Sequence, residues 1–203
     1  MPRGTIQGML AEVEKTSGAL KRYEEIAFAA EQLIIYEELD NRTGSVRAAV
    51  DGTSADYRVA VKARREGPEK AAGELYRRIK LQLEAHYNDP AAPQLLEFLH
   101  TSPNIPDTAP EWLEALEKMG RGLTAHHEEL AFAAERLPQV ETAVADLRGA
   151  VDEVEAKLAL KKSALAEWKA AKADYKSARA TLRRKLQAHF GARRDPRLKE
   201  FFD

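Results

Sequence analysis

Apolar and small residues recur along the second half of the chain at alternating spacings of three and four: Leu116, Met119, Leu123, His126, Leu130, Ala133, Leu137, Val140, Val144, Leu147, Val151, Val154 and Leu158. This is the seam of a coiled coil. It continues through Leu165, Trp168, Tyr175, Leu182 and Leu186, interrupted by Lys161, Lys172 and Arg179. Ile6, Leu10, Val13, Leu20, Tyr23, Ala27, Ala30 and Ile34 make a comparable stripe in the first half, and Leu75, Ile79, Leu83, His86 and Tyr87 another. The pattern predicts an all-α protein. Breaks are expected at Asp40–Gly44, at Asp51–Ser54, at Gly67-Pro68 and near Pro138 or Gly149, where turn-forming residues cluster or interrupt. Thr108 or Asp107 should cap a helix beginning near Pro110.

The chain is a tandem duplication. YEEIAFAAEQL from Tyr23 returns 104 residues later as HEELAFAAERL, with eight of eleven positions identical. HYNDPAAPQLLEFL from His86 returns 103 residues later as HFGARRDPRLKEFF. Two repeats, 1–100 and 111–203, joined by a Pro-rich linker at 101–110, follow from this. Each repeat ends in a helix closed by Asn88 or Gly191, the residue types suited to a left-handed cap. A short foot then follows, carrying Leu95 and Phe98 in one copy and Leu198, Phe201 and Phe202 in the other. These five side chains are the candidate docking surface, the second foot being expected to have the greater freedom to leave its own helices.

Charge shapes the expected pairing. Residues 107–156 carry twelve acids and four bases, and 157–203 five acids and fourteen bases; residues 1–41 and 42–89 repeat the alternation more weakly. An acidic helix followed by a basic one, twice, suggests two tandem antiparallel hairpins, four-helix-bundle-like, with complementary flanks.

Candidate chemistry is sparse. His126, His127, Glu128 and Glu129 are the one dense cluster of potential metal ligands, but neighbours on a helix diverge by about 100° and Arg22 and Tyr23 replace the two histidines in the other copy. Glu97-Phe98-Leu99-His100 has di-iron spacing but lies in the foot. No phosphate loop, nucleophile elbow or zincin pattern occurs. No enzyme activity, metal or cofactor is expected. The chain has no cysteine and no apolar run near the roughly 20 residues of a membrane span, so a cytoplasmic protein without membrane contact is expected.

The ending of each repeat, clearest in His189-Phe190-Gly191 and Pro196-x-Leu198-x-Glu200-Phe201, resembles that of a group of uncharacterised bacterial helical-hairpin proteins. The resemblance covers the last 20 to 25 residues of each repeat and implies no activity or site. The expected role is therefore a structural or scaffold protein that self-associates or binds other proteins through its helical faces and feet. The alternative is a nucleic-acid-associated protein using Arg183, Arg184, Lys185, Arg193 and Arg194.

Overall fold

The computed structural model describes residues 5–99, 106–191 and 195–202. These are helical almost throughout, in the order α1 (Ile6–Arg22), α2 (Ala29–Arg64), a π-helical turn (Arg65–Glu69), α3 (Lys70–Tyr87), a 3-10 turn (Pro93–Glu97), α4 (Ala109–Ala125), α5 (Ala133–Phe190) and α6 (Leu198–Phe202). Both repeats have one plan. A helix of 17 residues is followed by a sharp corner, a very long helical stretch, a left-handed residue (Asn88, φ 52°; Gly191, φ 71°) and a short foot. Thr5 and Thr108 cap the two short helices, Thr108 with Glu111 in a capping box, as its sequence suggests. Pro110 lies in the first turn of α4, where its missing N–H costs nothing.

The turns within each repeat lie elsewhere than expected. Residues 40–44 and 51–54 are internal to α2, and Pro138 and Gly149 are internal to α5. Tyr36, Leu39, Thr43 and Val46 carry a buried seam straight through the first cluster, and burial of that face outweighs the ~1 kcal/mol that a helical glycine costs. Thr53 turns its hydroxyl onto the carbonyl of Ala49 and so stays within the helix. Gly67-Pro68 does not end a helix either, because the π turn absorbs it. One turn there holds an extra residue, and the offset between the copies falls from 104 before it to 103 after it. The hairpins with turns at 40–44 and at Pro138 or Gly149 are thereby corrected.

The chain does break at the repeated motif itself. Residues 23–28 and 126–132 form corners without glycine or proline, in which the carbonyls of Tyr23 and Ile26, and of His126 and Leu130, accept from amides three residues on. Ile26 and Leu130 are the buried anchors, with Ala29 and Ala133 buried beside them. The first corner is one residue shorter than the second. It resets the helical phase, so that Ile34, on the stripe drawn from Leu20, is 60% exposed, while Tyr36 and Leu39 are buried. The longer second corner preserves the phase, and Leu130, Ala133, Val140, Leu147 and Val154 are buried as the seam predicts.

The chain divides into two compact units, each drawing on both repeats. Unit 1 comprises residues 1–55 and 159–203, with a core of Met9, Val13, Leu20, Ile26, Tyr36, Leu39, Tyr175, Leu182, Leu186, Leu198 and Phe201. Unit 2 comprises residues 56–158, with Tyr76, Ile79, Leu83, Leu95, Phe98, Trp112, Leu116, Met119, Leu123, Leu130 and Leu147 at its centre. The acidic and basic flanks do meet, but across copies: Glu31 pairs with Lys185 (3.1 Å) and Arg42 with Asp174 in unit 1, and Asp56 with Lys157 (3.6 Å) in unit 2. Ile26, Leu130, Leu147, Leu182 and Leu186 are buried. Phe28, Leu33, Phe132, Leu137, Leu158 and Trp168 are half-buried, and Leu165 is exposed.

Leu130→Ala should cost about 2–5 kcal/mol in urea denaturation followed by circular dichroism. Leu165→Ala should cost less than about 0.5 kcal/mol. Equal losses would contradict this assignment of the seam. Gly122→Ala should cost about 1–3 kcal/mol by overpacking, because an added Cβ would stand 2.5 Å from the Phe98 ring.

Candidate anion-binding face

Both feet are occupied inside their own units. Leu95, Phe98, Leu198 and Phe201 are buried and Phe202 is half-buried, so their apolar faces are not free surfaces. Each foot sits on the short helix of the other copy. Phe98 lies over Gly122 of α4, and Thr16 of α1 donates its hydroxyl to the carbonyl of Phe201 (2.9 Å). Equivalent glutamates hold the feet down. Tyr23 donates to Glu200 (3.0 Å), and His126 reaches Glu97 (2.8 Å) and Glu129 (3.1 Å). An ionised carboxylate only accepts, so both bonds are made together when the ring carries protons on both nitrogens. The hydrogen bond to Glu97, then that to Glu129, raise the His126 pKa above its ordinary value, against a smaller opposing effect of burial.

The basic end of α5 belongs to unit 1, which carries nineteen Lys and Arg against fourteen Asp and Glu, net +5; unit 2 carries thirteen against nineteen, net −6. Lys185 is paired with Glu31, and Arg179 with Glu12 (3.2 Å). Arg184 is exposed and bonds weakly to the carbonyl of Ala180, while Arg183 lies over the Phe202 ring at 6.0 Å. Arg193 and Arg194 lie outside the described residues. The heptad phase of α5 sets Arg183 in a row with basic residues upstream of it. Lys162, Lys169, Lys176 and Arg183 fall seven residues apart, all exposed, and among the described residues none of them makes an ion pair.

Beside this row, α1 and α5 enclose a cleft of about 640 Å3 lined in part by Met9, Glu12, Trp168, Tyr175, Arg179 and Arg183. Tyr175 and Arg179 both donate to Glu12 at its floor, and Arg179 also donates to the carbonyl of Phe202 (3.1 Å). Burial, then the bond to Glu12, push the Tyr175 hydroxyl pKa far up. Trp168 and Tyr175, expected as core residues, divide: Tyr175 is buried and Trp168 is a half-exposed cleft wall.

Among the described residues, no helix is long and apolar enough to cross a membrane. Comparisons with protein-family models, curated proteins and solved structures find no match to this chain.

Because its folded pKa is raised, the His126 bond stabilises foot docking fully below the unfolded pKa of about 6.5 and is lost as pH rises through the folded value. Amides of residues 95–99 should therefore be better protected from hydrogen exchange at pH 6 than at pH 8, after correction for intrinsic rates. His126→Gln should abolish the difference, whereas protection of 198–202, held through Tyr23, should not depend on residue 126. A pH dependence that survives His126→Gln would refute this account.

Proposed function

We propose that the protein is a non-enzymatic binding protein that engages a polyanion, a nucleic acid backbone, along the exposed face of α5 in unit 1. The observation that carries this reading is the row Lys162, Lys169, Lys176 and Arg183. Seven residues of helix are about 10.5 Å, so the row sets four cations over about 31 Å of one helix face. Cations without an acidic partner among the described residues are available to displace counterions from phosphates, and such binding reads charge, not sequence. A binding role also accords with the chemistry of the neighbouring cleft. Its tyrosine is shifted away from proton exchange near neutrality, and its carboxylate is committed to two donors.

Self-association through the feet is the competing reading. It requires Phe98 or Phe201 to leave a buried seat, and light scattering across salt concentrations tests it, since a clean monomer removes it.

In fluorescence anisotropy at about 50 mM salt, labelled 20-base duplexes and single strands should bind in the micromolar range, with log K falling against log salt with a slope of about −3 to −4 for four phosphate contacts. Replacing Lys162, Lys169, Lys176 and Arg183 with Gln should flatten that slope and weaken binding at least about tenfold. Absence of binding at low salt, or indifference to the substitutions, would remove the proposal. Equal affinity for poly-glutamate would reassign the partner to an acidic protein.

A further inference from the structure

The duplication supplies an internal control for the cleft between α1 and α5. The short helices align by their caps, Thr5 with Thr108 and Tyr23 with His126, and the long ones by their left-handed ends, Asn88 with Gly191. In unit 2 the equivalent space is filled. Trp112, in the place of Met9, lies against Gly73, where an added Cβ would meet the indole at 3.2 Å, and packs edge-on against Tyr76 at 5.7 Å between ring centres. In unit 1 Lys176 and Arg179 stand where Gly73 and Tyr76 stand, and the space is an open cleft of about 640 Å3, within the size range of small-molecule sites.

Other interior residues of unit 1 diverge in the same sense. Glu12 replaces Ala115, Tyr175 replaces Ala72, Tyr36 replaces Val140 and Thr43 replaces Leu147. The hydroxyls of Tyr36 and Thr43 are buried without a hydrogen-bond partner among the described residues. The Tyr36 hydroxyl lies near enough to Arg179 and Glu12 to be perturbed by both charges. Unit 2 shows that the same architecture closes with apolar side chains, so this polarity is not required by the fold; buried polar groups cost stability unless satisfied.

We propose that the unit 1 cleft binds a small organic anion, with its flat apolar or aromatic body against Trp168 and Met9 and its phosphate or carboxylate held by Lys172, Lys176 and Arg183. Arg179, committed to Glu12 and to the carbonyl of Phe202, shapes the floor without being the principal counter-ion. The two readings share Lys176 and Arg183, and Met9→Trp, which fills the cleft without removing either cation, separates them.

Anilinonaphthalene sulfonate, a planar aromatic sulfonate, and its uncharged analogue N-phenyl-1-naphthylamine test it by fluorescence titration of the native chain. The sulfonate should bind at one site and more tightly than the neutral amine by about tenfold or more, as expected for charge-assisted contacts. Met9→Trp, copying Trp112, should abolish that binding at unchanged helical circular dichroism while leaving nucleic acid binding intact. Lys172→Gln with Lys176→Gln should weaken the sulfonate about tenfold and leave the neutral amine unaffected. Should Met9→Trp fail to fold, Trp168→Ala at the half-exposed wall must weaken both probes. Displacement of the probe by adenosine monophosphate would identify a nucleotide-type ligand, and displacement by decanoate a fatty-acid-type one. Displacement by neither, retained binding in folded Met9→Trp, or equal affinity for the neutral amine would overturn the proposal.

Discussion

The seating of each foot on the short helix of the opposite copy is the constraint from which the rest of the fold follows. Phe98 closes over Gly122, and Phe201 seals α1 with its carbonyl taken by Thr16. A short helix draws most of its stability from tertiary packing of its apolar face, and a five-residue foot has none without it. Each becomes stable by covering the other. Because the covering element comes from the other repeat, neither repeat supplies all the parts of one compact unit. The two copies are thus complementary as well as similar, and the positions that match between them are those at the corners, caps and feet.

Once both units are closed by the same device, their cores are free to diverge. Unit 2 fills its interior with Trp112, Tyr76, Leu116, Met119 and Leu147, while unit 1 places Met9, Arg179, Val13, Thr16 and Thr43 at the equivalent positions. The result in unit 1 is a network in which Glu12 accepts from Tyr175 and Arg179. A partly buried ion pair of this kind gives up hydration for its mutual attraction, and an apolar substitute is often as stable. The sister unit displays that substitute. Divergence toward the costlier solution, beside an open cleft, is better explained by a ligand than by folding.

Much of the fold was legible in the sequence, and what escaped was lost for a common reason. The helical class, the duplication, the Thr108 cap, the left-handed ends at Asn88 and Gly191 and the seam from Leu130 to Val154 could all be read from residue type and spacing. The corners at 23–28 and 126–132 could not, because they contain no glycine or proline and are made by tertiary burial of Ile26 and Leu130. The apparent turn at 40–44 is overridden because local propensity is worth less than a continued buried face, whereas Gly67-Pro68 is absorbed by the π turn. The one-residue change in repeat offset was the available signal for the π turn. Of the site, the basic character of α5 was legible, but the cleft was not: Glu12 and Tyr175 are 163 residues apart, and only the fold makes them neighbours.

The distribution of charge reconciles a nearly neutral chain with a strongly basic face. Exposed ion pairs such as Glu31 with Lys185 contribute little to stability, about 0–1 kcal/mol each, so neutralising every cation would gain the fold little. Selection for folding alone therefore leaves surface charge weakly constrained. Among the cations of α5, Lys162, Lys169, Lys176 and Arg183 keep one heptad phase through three successive heptads. That phase lies beside the seam, on the edge where α1 leaves the cleft uncovered, and Lys176 and Arg183 also line the cleft itself. The same periodicity that hides the apolar residues of α5 thus aligns cations that make no ion pair among the described residues, giving the helix an inner face that builds unit 1 and a charged outer face.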